Sequence, residues 1–426
     1  MDGLSGKRLL ILGGSLWKDA IKQYADDNGI ILIATGNNAQ AGIFDIAEEK
    51  YNVNSIDHEA MKNLICEKKI DGVYLGGAEI VISEACEYLA ELNMPCYCTR
   101  PQWDLLQNKK NFKELCVKND LPVVPRYDIS ENDLKLPAEM YPVITKPADG
   151  CGSSGFSICN NDIELKQGYN KAAENSRTKN VIVEKFVRNE GNVVFYTVSN
   201  GKIYFSGLSD KYPVQYKKQG SYVGGLFVYE SRYEEEFRKK FENKIQKMIS
   251  SIGIKEGTFW IEVFHDKGEY YFNEVGYRYG GSASIYPTDY LFGINQVASD
   301  IYYALTGKSK IFGHPSMFGK ETPKKSHYAV YPVHILPGCI SEINGLDIIE
   351  KCNNVVRILT TKTIGNVIND SGSFDQTFAL VHIVFDDKDE LIDTLNYIHQ
   401  HLTIRDKNGN QMVNRMLDVA KNNIII

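Results

Sequence analysis

Residues 258–281 read TFWIEVFHDKGEYYFNEVGYRYGG. Thr258 to Phe264 and Glu269 to Val275 each predict a β-strand, and the turn at His265 to Gly268 joins the two strands into a hairpin. Paired strands place polar side chains from both segments close together, so the charged residues of this hairpin are candidates for one site.

Glu262 and Glu274 carry the chemistry of this hairpin, because each has apolar neighbours on both sides. An ionised carboxylate in such surroundings is costly unless a positive group lies beside it. Two carboxylates on paired strands suit Mg²⁺, which binds one or two carboxylates together with substrate phosphates and water. Arg278, four residues after Glu274, is suited to stabilising a transferring phosphoryl group or docking a substrate carboxylate. A structural cross-strand Glu–Arg pair is the alternative.

A second candidate group precedes the hairpin. Lys146 ends a predicted strand and is followed by the loop Asp149 to Gly155, whose centre is Gly152, Ser153 and Ser154. Glycines expose backbone N–H groups, which together with a lysine hold phosphate oxygens. The lysine precedes the glycines, so the spacing is not that of a Walker P-loop. The alternative is a surface turn beside a solvated lysine.

The segment Glu184 to Val187 follows apolar Ile182 and Val183 at the end of another predicted strand. Such a hinge is able to present a carboxylate and backbone groups to the edge of an adenine ring. Charged residues at strand ends are more often simply solvated, which is the competing interpretation.

The first hundred residues alternate strand-like and helix-like patterns, which predicts a doubly wound parallel sheet. The turn Gly13-Gly14-Ser15 lacks the full spacing of a dinucleotide-binding motif. Asp45 and Glu79, near predicted strand ends, are candidates for polar substrate contacts or are solvated loop carboxylates.

Composition restricts the possible classes of function. A chain of 426 residues is expected to fold as several lobes with clefts between them. The net charge of −6 disfavours nucleic acid as a partner. The sequence contains no apolar run of the roughly 20 residues that a membrane-spanning helix needs. Nine scattered cysteines without a CxxC pair favour the reducing cytoplasm.

Taken in order, these motifs resemble the ATP-grasp superfamily, in its carboxylate-amine ligase branch, which includes biotin carboxylase, carbamoyl phosphate synthase and L-amino acid ligases. The resemblance implies a mixed α/β and α+β fold of three parts. These are an N-terminal Rossmann-like pre-ATP-grasp domain (residues 1–105), a two-lobed ATP-grasp core (106–310) with a lid at about 120–190, and a C-terminal α+β closing domain (311–426).

The resemblance also implies ATP and Mg²⁺ (or Mn²⁺) as cofactors and gives roles to individual residues. Its nucleotide-binding residues are Lys109, Lys146, Gly152, Ser153, Ser154, Glu184, Phe186 and Val187, with either Glu190 or Asn192 at the ribose. The metal ligands that the resemblance implies are Glu262 and Glu274, and the catalytic residue that it implies is Arg278.

One departure from the family pattern affects the metal site. The usual Glu-x-Asn-x-Arg reads here Glu274-Val275-Gly276-Tyr277-Arg278, so an asparagine that often completes a second metal site is missing. Asn273 is able to substitute only if the strand is locally rearranged, because in a regular strand it faces opposite Glu274.

The implied reaction is the activation of a small carboxylic acid, such as an amino acid, as an acyl phosphate that an amine then attacks. The long segment Ser209 to Arg232, rich in lysine and tyrosine, is expected to cover the acceptor site. The competing interpretations are a bicarbonate-activating enzyme, a non-catalytic ATP-binding regulatory protein and, remotely, a nicotinamide-dependent oxidoreductase. Relatives are often dimers, which implies a homodimer.

Overall fold

The computed structural model describes residues 3–38, 41–129, 131, 133–148, 155–176, 178–188, 190–216, 222–313, 316–319, 321–415 and 417. Gly152, Ser153 and Ser154, predicted to bind phosphate, therefore lie outside the described residues. Among those described, no helix has both the length and the apolar character needed to cross a membrane.

The N-terminal region forms the expected parallel sheet. Its strands are β1 (Arg8–Ile11), β2 (Ile31–Thr35), β3 (Glu49–Tyr51) and β4 (Gly72–Tyr74), in the order β3-β2-β1-β4. The accompanying helices are α1 (Lys18–Asn28), α2 (Ile43–Ile46), α3 (His58–Glu67), α4 (Glu79–Glu91), α5 (Arg100–Gln107) and α6 (Lys109–Lys118). Leu9, Leu10 and Ile11 are all fully buried, as in a parallel sheet covered on both faces.

A small separate sheet follows, within the range expected for the lid. It contains β5 (Val143–Pro147), β6 (Ser157–Cys159) and β7 (Val181–Lys185) in the order β6-β5-β7, with α7 (Asp162–Glu174) packed on one face. Its buried core consists of Val143, Cys159, Leu165 and Val183. A core this small, separate from the main one, is suited to moving as a unit.

The remaining elements follow in chain order. They are β8 (Gly191–Ser199), β9 (Lys202–Gln215), β10 (Tyr222–Tyr229), α8 (Glu234–Phe237), α9 (Asn243–Ser251), β11 (Gly257–Asp266), β12 (Glu269–Gly276), α10 (Ile285–Phe292), α11 (Gln296–Thr306), β13 (His327–His334), β14 (Gly338–Asn344), α12 (Leu346–Ile349), β15 (Val355–Thr360), β16 (Val367–Ile368), β17 (Thr377–Phe385), α13 (Lys388–His401) and β18 (Thr403–Asp406).

One antiparallel sheet of eight strands joins the core to the C-terminal region, in the order β12-β11-β8-β9-β10-β13-β17-β15. Strand β10 pairs directly with β13 through Phe227 and Val330. Residues 311–426 therefore extend the sheet of the core, although β14, β16 and β18 also form a smaller sheet of their own. The predicted boundary at residue 310 lies between α11 and β13, and strands from both sides of this boundary belong to the same eight-stranded sheet.

The segment Ser209 to Arg232, expected from the sequence to cover the acceptor site, forms strands in its described part and contributes Lys211, Tyr222 and Phe227 to the lining of a cleft. Ser209 to Gln215 belongs to β9, and Tyr222–Tyr229 is the whole of β10, so the described part of the segment lies largely within the central sheet. Ser209, Asp210 and Lys211 are consecutive polar residues and are all buried, as are Val214 and Val228 in the core. The polar composition concealed a strand whose one face lines a cleft.

Helix α11 holds the N-terminal sheet against the core. A side chain at Gly72, on β4, would place its Cβ 2.4 Å from the backbone oxygen of Ala304 on α11. Glycine permits this approach of helix to strand, because no other residue leaves the necessary space. The loops that follow the parallel strands are thereby fixed beside the hairpin of β11 and β12.

Candidate active site

Glu262 and Glu274 lie directly opposite each other, on β11 and β12. Both residues line one cleft, which has a volume of about 480 Å³. The structure thus brings together the two carboxylates that the sequence singled out, on one face of the hairpin.

A β-bulge on β12 changes the position of Asn273. The pairing passes from Glu262–Glu274 to Val263–Phe272, which leaves Asn273 as an extra residue on its strand. Its Nδ2 donates a hydrogen bond of 2.6 Å to Oε2 of Glu262. In a regular strand Asn273 would face away from Glu274, and the bulge is the local rearrangement that turns its amide toward the carboxylates.

Lys211, on β9, was not identified from the sequence as part of the carboxylate pair. Its Nζ donates to Oε1 of Glu262, and the side chains are only 7% and 16% exposed, respectively. Burial alone would raise the pKa of Glu262, but the Lys211 ammonium and the Asn273 amide hold this pKa below its ordinary value. No alternating pattern marks Lys211 in the sequence, because Asp210 and Tyr212 on either side are buried as well as Lys211 itself.

Glu274 has a different kind of partner. Lys109 Nζ lies 3.0 Å from its Oε2; the Glu274 side chain is 31% exposed and the Lys109 side chain 73%. Lys109 is the first residue of α6, where Asn108 caps the helix by accepting from the backbone N–H groups of Lys110 and Asn111. This cap fixes the root of a lysine whose ammonium remains accessible from the solvent.

Glu184 lies between two lysines. Lys146 Nζ is 2.6 Å from its Oε2, and Lys113 Nζ is 2.8 Å from its Oε1. Burial would raise the pKa of Glu184, but the two ammonium groups lower it overall. The pKa of Lys146 is lowered by burial and by the nearby charges of Lys113 and Lys109, against the opposing pull of Glu184.

This arrangement alters the interpretation of the predicted hinge. The oxygens of Glu184 contact Lys113 and Lys146, so the carboxylate faces Lys146, which was predicted to bind phosphate. Lys113 was missed, although it lies one helical turn after Lys109 on the same face of α6. Phe186 and Val187 are half-buried, and the backbone N–H of Phe186 donates to the carbonyl of Pro142 at 3.0 Å.

Asn192 does not lie in the cleft, which corrects the expectation of a possible ribose contact. It is fully buried, and its Nδ2 donates to Asp210 at 2.7 Å and to Ser231 at 3.1 Å. Alternation along β8 directs Val193 into the cleft and Asn192 to the opposite face. The other candidate, Glu190, has an exposed side chain.

Arg278 joins the hairpin to the N-terminal region. Its Nη2 donates to Oε1 of Glu79 at 2.7 Å, its Nη1 donates to the carbonyl of Tyr279 at 2.8 Å, and its guanidinium lies 5.3 Å from the ring centre of Trp260. Glu79 is one of the two carboxylates noted near predicted strand ends. The other, Asp45, forms an ion pair with Lys18 away from the hairpin.

The walls of the cleft are largely aromatic and apolar, which the sequence did not reveal. They include Phe195, Tyr222, Phe227, Trp260 and Phe374, together with the small residues Gly280, Gly281 and Ser282. Phe374 comes from the C-terminal region, so this cleft is completed by a part of the chain far from the predicted motifs. A second cleft of about 270 Å³, lined by Glu79, Lys109, Glu274 and Arg278 among others, adjoins it.

The donor set fits a hard divalent cation. Glu274 offers a partly exposed carboxylate, Glu262 lies opposite, and Lys109 and Lys146 stand where phosphate groups would bring negative charge. Such a combination of carboxylates and bound phosphates is the usual environment of Mg²⁺.

Known proteins share both this sequence pattern and this fold. The family model of the ATP-grasp domain matches residues 107–282. A formate-dependent phosphoribosylglycinamide formyltransferase of Wolinella succinogenes is 27% identical over 283 residues, which cover 64% of this chain and 70% of that protein.

Two solved structures show the likeness of the fold, each at 18% identity. The L-amino acid ligase of Bacillus licheniformis superposes with a TM-score of 0.72 over 95% of this chain and 100% of its own. The biotin carboxylase domain of the Hydrogenobacter thermophilus 2-oxoglutarate carboxylase, a dimer in complex with MgADP, superposes with a TM-score of 0.68 over 95% and 91%.

Residues 107–282 form an ATP-grasp domain, and the fold of the chain matches that of ATP-grasp structures. The protein is an ATP-dependent enzyme of the ligase type, from a family that forms C–N bonds.

Proposed function

We propose that the protein is a carboxylate-amine ligase, which uses ATP to activate a small organic acid and then joins it to an amine. The observation that carries this proposal is the opposed pair Glu262 and Glu274, in a cleft that also holds Lys211 and Arg278. Lys109 pairs with Glu274, and Lys146 lies on Glu184 nearby, which supports a role for these two lysines at the phosphate groups of a nucleotide.

The first chemical step is attack by a carboxylate oxygen of the acid on the γ-phosphorus of ATP. The bond between the γ-phosphorus and the bridging oxygen breaks, ADP leaves, and an acyl phosphate remains. Lys109 and Lys146 hold the phosphate oxygens, and Arg278 orients the acid through its guanidinium. Glu274, with Glu262 opposite, would hold Mg²⁺, which supplies neutralisation of the phosphate charge.

In the second step the amine nitrogen attacks the acyl carbon, inorganic phosphate leaves, and the nitrogen loses a proton to form the amide. The apolar walls of the cleft exclude water, which would otherwise hydrolyse the acyl phosphate. The small sheet of β5, β6 and β7 carries Lys146 and is suited to closing over the nucleotide.

The size and lining of the cleft support an organic acid in preference to bicarbonate. A volume of about 480 Å³ walled by Phe195, Phe227, Trp260 and Phe374 matches a substrate with an apolar group. The L-amino acid ligase among the similar structures acts on amino acids by its name, and we propose an amino acid with an apolar side chain as one of the two substrates here. A homodimer is the corresponding expectation for assembly, measured by light scattering coupled to size-exclusion chromatography.

A screen for ADP release tests the proposal. Purified protein is mixed with MgATP and with amino acids singly and in pairs, small polycarboxylates, or bicarbonate, and products are identified by mass spectrometry. We expect ADP, phosphate and an amide in equal amounts with at least one pair of organic substrates, and no release from Glu274→Ala. ADP release that depends on bicarbonate alone, or no release with any acid, would contradict the proposal.

A further inference from the structure

Glu262 and Glu274, although paired across the hairpin, differ in how firmly each is held. Both oxygens of Glu262 are occupied, Oε1 by the Lys211 ammonium and Oε2 by the Asn273 amide at 2.6 Å. Glu274 accepts at Oε2 from Lys109, 3.0 Å away. The two carboxylates are therefore unequal as ligands for an incoming cation.

The two ion pairs also differ in their exposure to solvent. The Lys211–Glu262 pair is buried, so parting it would leave two uncompensated charges inside the protein. In the Lys109–Glu274 pair the lysine side chain is 73% exposed and the glutamate side chain 31%, and ion pairs open to solvent are weak and part easily. Lys109 is thus free to swing to a nucleotide phosphate and give up Glu274, whereas Lys211 is held where it is.

Trp260 fills the space from which a third ligand side chain, beside Glu262 and Glu274, would reach the site. Position 276 is a glycine, and a Cβ built there would lie 2.1 Å from Nε1 of the Trp260 indole. No side chain can project from position 276 toward the carboxylates while the indole is in place. A ligand for a second cation is therefore absent from position 276, and the indole fills the space that such a side chain needs.

We propose that this protein binds a single divalent cation with its nucleotide, on Glu274, and that the ammonium of Lys211 takes the place of a second cation beside Glu262. Asn273, delivered by the β-bulge, caps the other oxygen of Glu262 and keeps the Lys211–Glu262 pair in register. The cation on Glu274 retains water and nucleotide phosphates as its other ligands. The inference rests on the nucleotide site of the proposed function.

Electron paramagnetic resonance with Mn²⁺ and a non-hydrolysable ATP analogue counts the bound cations without any turnover. Two Mn²⁺ ions in one site would lie about 3.5–4 Å apart and give a spin-coupled spectrum. We expect one Mn²⁺ per chain with an uncoupled spectrum in the wild-type protein. Two coupled ions would overturn the inference and leave the proposed function standing, whereas no nucleotide-dependent Mn²⁺ would count against both.

A charge-balanced variant separates the two carboxylates. Glu262→Gln combined with Lys211→Met removes the buried pair without leaving an isolated charge, and we expect its Mn²⁺ affinity to stay within about tenfold of the wild type. Glu274→Gln removes the proposed ligand, and the affinity should fall by about 100-fold or more. Equal losses in the two variants would show that Glu262 is also a ligand, contrary to the proposal.

Lys211→Ala tests the substitution of an ammonium for a cation directly. Without the lysine, Glu262 is a buried carboxylate lacking its counter-charge, and we expect a second Mn²⁺ to bind with a coupled spectrum. Lys211→Arg keeps the charge and should retain a single ion. Circular dichroism confirms folding, and a folded Lys211→Ala protein that still binds one ion would refute the role given to Lys211.

Discussion

The indole of Trp260 lies against the backbone of Gly276, its partner on the neighbouring strand of the hairpin. A Cβ at position 276 would come within 2.1 Å of Trp260 Nε1, a separation that requires the indole or the strand to move. Glycine is thus required at this position for space, next to the glutamate that we assign to the cation.

Gly276→Ala is accordingly expected to destabilise the protein by about 1–3 kcal/mol, the usual cost of forcing an extra methyl group into a packed site. Urea unfolding followed by fluorescence measures the change. Gly281→Ala is the matched control, because a Cβ there meets nothing within 4 Å and should alter the free energy of unfolding little. Equal stability of the two variants would show that the indole yields freely.

Lys146→Met should weaken nucleotide binding by roughly tenfold or more, since it removes a charge-assisted contact to phosphate. Isothermal titration with an ATP analogue gives the affinity. Lys113→Met is the control, because Lys113 contacts the same Glu184 carboxylate at 2.8 Å yet is not the residue we assign to phosphate. If both variants lose the same affinity, the effect belongs to Glu184 and the phosphate role of Lys146 is wrong.

Arg278→Ala should lower kcat/KM by about 10²–10³, in the range found when one stabilising donor is removed from an active site. Nucleotide affinity should change little, because we assign Arg278 to the acid substrate. Arg188→Ala is a control that removes another arginine with an acidic partner, because Arg188 is 59% exposed and pairs with Asp266 at 3.2 Å. Unimpaired turnover in Arg278→Ala would remove this residue from the mechanism.

Asp300 should make stability depend on pH. It accepts a hydrogen bond from Tyr279 and lines an internal cavity of about 20 Å³, and burial raises its pKa from 3.8 to about 7. Between these values the unfolded chain releases the proton while the folded protein retains it. The contribution of Asp300 to the free energy of unfolding is therefore fully present below about pH 4. It falls by about 1.4 kcal/mol per pH unit as the pH rises from about 4 to about 7.

Asp300→Asn removes that titration and keeps an acceptor for Tyr279. The free energies of unfolding of the wild type and the variant are measured at pH 5 and pH 7. The difference between the two proteins should change between these pH values by about 1.4 kcal/mol per pH unit, because the other titrating groups are common to both. A difference that is the same at both pH values would mean that Asp300 titrates normally.

Much of the fold was predictable because it depends on local patterns. The parallel N-terminal sheet and the hairpin were both expected from apolar runs and turn residues, and both are present. The apolar residues Phe237, Phe241, Ile245 and Ile249 recur at helical spacing, and the chain there forms α8, the π-helical turn Arg238–Glu242 and α9. The strand β9 was overlooked where polar residues such as Asp210 and Lys211 occupy it, because their partners come from distant strands.

The sequence by itself determined which chemistry is available, since the identity and order of Lys146, Glu184, Glu262, Glu274 and Arg278 are properties of the chain. Which of these groups contact one another, and which other residues join them, depends on the tertiary structure. The bulge that turns Asn273 toward Glu262, the approach of Lys211 from β9 and the burial of Asn192 on the opposite face depend on strand register. Register is set by packing between residues far apart in the chain, and a one-residue shift reverses every side chain, so no local pattern encodes it.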